Sequence, residues 1–110
     1  MIKKTMQKIK DKIQKESSVT NEKKSELLSL LSVLESEITK LSKIDSEHAE
    51  SITGFIERST HEATRQNKKP ELLRLSLAGL TESVKGFEAS HPVLVEKINN
   101  ICTTLANMGI

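Results

Sequence analysis

The side chains able to do nucleophilic, acid–base or metal chemistry in this 110-residue chain are few: His48, His61, His91 and Cys102, with dispersed carboxylates. His91 stands in FEASHPVLVE, Phe87 to Glu96, between a serine and a proline. A residue before proline is pushed out of the helical region, and proline suits the first position of a helix. The stretch therefore predicts a structural turn, with His91 at the N-cap, Pro92 opening the helix and Ser90 offering its hydroxyl to the free amides. The competing chemistry is ligand or anion binding at a helix N-terminus, where unpaired amides and the dipole attract negative charge.

THEATR, Thr60 to Arg65, opens like a zinc-protease helix, but that chemistry needs a second histidine four residues on, and Arg65 stands there. Counting 100° per residue places His61 opposite the apolar stripe of its helix, exposed and able at most to pair with Glu57 one turn away. His48 falls beside that stripe, about 140° from His61, so one helix cannot bring both to a metal. Cys102 lies within an apolar stripe with no His or Lys near it in sequence to lower its pKa, which reads as a small core side chain. No P-loop and no GxGxxG occurs among the four glycines. The sequence offers no catalytic residue, metal set, cofactor or small-molecule substrate, and an enzyme is the class it supports least.

The elements that must carry these residues are all helical, since five segments show helical periodicity and none shows strand alternation. Expected helices run over 1–16, 21–42, 46–67, 70–88 and 92–108. In the first, Ile2, Met6, Ile9 and Ile13 make a narrow seam on a surface of Lys and Gln. In the second, Leu27, Leu31, Leu34, Ile38 and Leu41 keep heptad spacing, and Leu28 and Leu30 widen the stripe to roughly 160°, enough to face two neighbours. Asp45 and Ser46 predict a break after it, the alternative being one rod through His48, Ile52 and Phe55. Ser18 or Thr20 would cap the second helix, Pro70 would begin the fourth, and Gly109 would end the fifth. Short connections favour antiparallel neighbours, so the expected architecture is one all-α domain, an up-and-down bundle of four to five helices.

Composition narrows the function. With no Trp, no Tyr and two Phe, the chain lacks stacking platforms for bases or sugars. Its net charge of +2 hides a local bias, because Lys3, Lys4, Lys8, Lys10, Lys12 and Lys15 crowd the first helix. That helix could meet a membrane surface, an acidic partner or nucleic acid, although it has neither aromatic anchors nor Arg. A single cysteine rules out an intrachain disulfide and fits a reducing compartment. With no signal peptide and no membrane span apparent, the expectation is a cytoplasmic protein.

Phe87-Glu88-Ala89-Ser90-His91-Pro92, followed by Ile101, Leu105 and the closing Met108-Gly109-Ile110, resembles a family of short bacterial proteins known only as a domain of unknown function. The resemblance covers about 25 residues well, and the first two helices also look like that family's Leu-rich N-terminal hairpin. Here, however, the middle is longer and the first helix is poorer in Leu. The resemblance implies a small, all-helical, intracellular bacterial protein and brings no activity or ligand residue with it.

The expectation is therefore a non-enzymatic bundle that associates with itself, a dimer being favoured, or with another protein. Two surfaces are candidates: the stripe of Leu27, Leu31, Leu34 and Ile38, and a strip of small residues, Ser76, Gly79, Ser83 and Gly86, that would let another helix approach closely. The alternative is docking of the basic N-terminal helix on an anionic surface, membrane or nucleic acid.

Overall fold

The computed structural model describes residues 2–108 and contains five helices: α1 (Ile2–Lys15), α2 (Asn21–Ser42), α3 (Ser46–Thr64), α4 (Pro70–Ser83) and α5 (Pro92–Met108). Among the described residues there is no strand, and the architecture is an all-α helical bundle. Gly109, expected to cap α5, lies outside the described residues.

Local chemistry sets most of the boundaries. The Thr20 hydroxyl accepts from the Lys23 amide at 3.2 Å and caps α2. Asp45 does the same for α3, accepting from the His48 amide at 3.0 Å, so α2 and α3 are separate helices rather than one rod. Pro70 is the first residue of α4, with Lys69 held outside the helical region at φ −126° and ψ 87°.

Two expected helix ends are corrected. α3 stops at Thr64 rather than at residue 67, because Arg65 turns to extended geometry at ψ 150° while its guanidinium reaches back to Glu62. The Lys68 ammonium also bonds the Ala63 carbonyl, satisfying an end of the helix from outside it. α4 stops at Ser83 rather than at residue 88. Gly86 adopts φ +93°, a left-handed conformation that a side chain resists, so it belongs to a turn and not to a helix interior.

One apolar core joins all five helices, from Met6, Ile9 and Ile13 of α1 to Leu94, Ile98, Ile101 and Leu105 of α5. α3 is the central element and touches each of the other four. It runs parallel to α1, as the pairs Lys8–Glu57 and Lys12–His61 show, and antiparallel to α4, as the pairs His48–Ser83 and Phe55–Gly79 show. This centrality buries polar side chains of α3 as well as its apolar stripe. Thr53, Ser59, Thr60, Glu62 and Thr64 are all buried.

Candidate functional site

Leu27, Leu31, Leu34 and Ile38 are buried to 1% exposure or less inside the chain's own core. As candidates for an interface between copies they are corrected: α1, α3 and α5 all pack on α2, and the wide stripe is used up by neighbours within the fold.

The strip of small residues on α4 is covered from within as well. Ser76 and Ser83 are 8% exposed, and their hydroxyls bond the Leu72 and Leu80 carbonyls. At Gly79 the close approach is real, and the approaching group is the Phe55 ring of α3. A Cβ at Gly79 would lie 2.8 Å from Phe55 Cδ1 and 2.9 Å from Cζ, well inside van der Waals contact. Gly86 is exposed, an added Cβ would meet no described atom within 4 Å, and its amide donates to the Glu88 carboxylate at 2.9 Å, so its role is the turn.

Of the large apolar side chains left exposed, Val33, Ile44 and Val93 lie on α2, after its end and on α5, and three others form a different apolar edge. Phe55 is 37% exposed, Leu72 45% and Leu75 52%. Leu72, Leu75 and Gly79 fall within about 60° of one another on α4 at 100° per residue, and Phe55 lies on Gly79. The edge is thus continuous from α4 onto α3. Leu72 stands about 80° from Leu80 around α4 and Leu75 about 140° from it, so periodicity places both outside the core stripe and carries no sign that Phe55 extends them onto α3.

The FEASHP turn is held by aromatic contact. Phe87 packs against His48 at 4.8 Å between ring centroids and against His91 at 5.7 Å, edge on. His48 Nε2 lies 2.6 Å from the Ser83 carbonyl, a distance at which the protonated nitrogen donates and closes the end of α4. His91 precedes α5, its amide donating to the Phe87 carbonyl at 2.8 Å and its carbonyl accepting from Val95 at 3.2 Å. The role expected of Ser90 is corrected: its hydroxyl meets His91 Nδ1 at 3.0 Å instead of capping the α5 amides. Cys102 is half-buried beside the Thr81 hydroxyl at 3.7 Å, and burial pushes its thiol pKa up, opposed by that hydrogen bond. A thiol so placed is a poor nucleophile.

The lysines of α1 divide into two sets. Lys3, Lys4 and Lys15 are exposed at the two ends of the helix, whereas Lys8, Lys10 and Lys12, of which only Lys10 is half-buried, meet groups on other helices. Lys10 pairs with Glu35 of α2 at 2.7 Å, Lys8 with Glu57 of α3 at 3.4 Å, and Lys12 Nζ stands 3.4 Å from His61 Nδ1. Met6, Ile9 and Ile13 are buried against the bundle, so the apolar seam of α1 is not free to enter a membrane unless the helix undocks. His61, expected opposite the stripe and exposed, is half-buried because α1 covers that side of α3.

Between α1 and α3 runs a groove of about 430 Å³, lined by Lys8 and Lys12 on one side and by Gly54, Arg58, Thr60 and His61 on the other. Gly54 leaves it open, with no atom within 4 Å of where a Cβ would stand. Neither sequence nor spacing within one helix could have found this groove, since its two walls come from residues 8 to 12 and 54 to 61, far apart in the chain. Among the described residues no three His, Cys, Asp or Glu gather as a metal site, and no helix is long and apolar enough to cross a membrane.

The family model of a domain of unknown function (DUF4404) matches residues 27–110. The match takes in most of α2 and all of α3, α4 and α5, whereas α1 lies outside the matched residues. No curated protein and no solved structure matches the chain.

Proposed function

We propose, for a chain that belongs to the DUF4404 family, a non-enzymatic role as a helical interaction module that pairs with a second copy of itself through the α3–α4 edge. The observation that supports this reading is the exposure of Phe55, Leu72 and Leu75 side by side, in a fold where every other leucine is buried or partly buried. Each is already about half covered, so completing its burial contributes roughly 1 kcal/mol, and six such side chains across a two-fold contact contribute roughly 6 kcal/mol. That gain is of the same order as the cost of association, which makes the expected dimer weak and reversible. The setting we assign is a reducing bacterial cytoplasm, supported by the lone Cys102 and by the resemblance of the FEASHP segment.

The test is solution mass against concentration, by light scattering with refractive-index detection because the chain has neither Trp nor Tyr. A rise toward twice the 12.3 kDa chain mass, insensitive to salt and abolished by Leu72→Lys or Leu75→Glu with helicity unchanged, supports the reading. A chain that stays monomeric at millimolar concentration refutes it. Leu34→Glu, by contrast, is expected to unfold the monomer, because Leu34 is wholly buried within one chain.

A second reading, docking of α1 on an anionic surface, is supported by the exposed Lys3, Lys4 and Lys15. It requires salt-sensitive binding to acidic vesicles or nucleic acid that is lost on replacing those three lysines. Retention of binding by the triple variant would remove α1 from consideration.

A further inference from the structure

The geometry points to a small-molecule binding site in the groove between α1 and α3, for a ligand carrying a phosphate or pyrophosphate group. Its walls hold Lys8, Lys12 and Arg58 against the single carboxylate of Glu57, leaving two positive charges over a volume of about 430 Å³. That size suits a metabolite, and the charge matches a doubly ionised phosphate.

The cations are only loosely satisfied within the protein. Lys8 meets Glu57 at 3.4 Å with its side chain 71% exposed, so the pair is largely solvated. Arg58 stands 3.7 Å from Glu62, whose nearer partner is Arg65 at 2.9 Å. Lys12 has a histidine nitrogen, His61 Nδ1, in place of a carboxylate. Thr60 also lines the groove, 1% exposed, and its hydroxyl has no hydrogen-bond partner among the described residues. A threonine inside a helix ordinarily bonds the carbonyl four residues back, as Thr53 and Thr64 do in the same helix. Turned toward the groove, that unpaired hydroxyl would donate to a bound oxyanion, which is the partner we assign to it.

Gly54 makes the third contribution. At this point on α3 any side chain would project toward the groove, and its absence keeps the space open beside Glu57 and Arg58. Because α1 builds one wall and lies outside the residues matched by the family model, the site is argued for this chain only. It is independent of the α3–α4 edge. A free ligand is favoured over a lipid headgroup because these cations face one another across a cleft, whereas a membrane would be met by the outward Lys3 and Lys4.

The experiment is titration of the full chain with pyrophosphate at low ionic strength, read by amide shifts in two-dimensional NMR, with phosphatidic acid vesicles as a second arm. Saturation below about 10 mM is expected, with the largest shifts at Gly54, Arg58 and His61. Lys12→Ala and Arg58→Ala should each weaken binding about tenfold, and Glu57→Gln should strengthen it a few-fold. Gly54→Leu, which keeps every charge and fills the groove, should abolish binding while circular dichroism confirms an intact fold. No saturation overturns the proposal, as does binding that Gly54→Leu leaves unchanged, which is the mark of unspecific attraction to a basic surface. Binding to the vesicles but not to pyrophosphate overturns it in favour of the lipid headgroup.

Discussion

Two glycines at helix-interior positions, Gly54 in α3 and Gly79 in α4, should respond to alanine with opposite signs. An interior Gly→Ala change gains about 1 kcal/mol of helix propensity wherever the new methyl group has room. At Gly54 nothing stands within 4 Å, so Gly54→Ala is expected to gain most of that, about 4 °C in midpoint for a domain of this size. At Gly79 the methyl group would enter the Phe55 ring, with Cδ1 and Cζ under 3 Å away. Forcing a packed ring aside costs roughly 2 kcal/mol, which exceeds the propensity gain and leaves Gly79→Ala about 1 kcal/mol less stable than the parent. The cause is isolated by a double-mutant cycle, since in a Phe55→Ala background the methyl group meets open space and Gly79→Ala should turn stabilising. The expected coupling is about 2 kcal/mol, measurable by urea unfolding followed by far-ultraviolet circular dichroism. If Gly79→Ala stabilises the parent as much as Gly54→Ala does, the α3–α4 contact has been misread, and with it the apolar edge proposed for self-association.

Three further outcomes are expected. Ser59→Ala should raise stability by about 1 kcal/mol in thermal melts, because the Ser59 hydroxyl is wholly buried with no hydrogen-bond partner among the described residues and alanine is the better helix former. Gly86→Ala should lower stability by roughly 1 to 2 kcal/mol, read by the same melts, since φ +93° is strained for any residue with a Cβ. Cys102 should react with iodoacetamide at pH 8 more slowly than a free cysteine. Desolvation raises its folded pKa, so the stability this site contributes is full below the unfolded thiol's pKa and is lost as pH rises through the folded one. Alkylation as fast as that of the unfolded chain would show the thiol to be ionised and unprotected.

The helix boundaries and the core were the legible part. Thr20, Asp45 and Pro70 act through atoms within four residues of themselves, so their capping roles follow from local sequence. The heptad stripe of α2 marked core positions for the same reason, since a helix of known pitch places Leu27, Leu31, Leu34 and Ile38 on one face. The ends of α3 and α4 were read too far. Those helices stop where Glu62, Lys68 and Gly86 make contacts or adopt dihedral angles that no periodicity records.

What covers a given face was decided only by the tertiary structure. The stripe of α2 shows that it must be buried, yet not whether a second chain or α1, α3 and α5 buries it; the hydrophobic effect rewards either equally. His61 reads as exposed on an isolated α3 and is half-buried because α1 lies over it. Gly79 reads as a place for another helix and receives a single ring. The cationic groove has walls supplied by residues 8 to 12 and 54 to 61, which share no local signal and meet only because α1 docks parallel to α3. Periodicity and capping are short-range physics carried by the chain itself, whereas juxtaposition depends on how whole helices divide a common core.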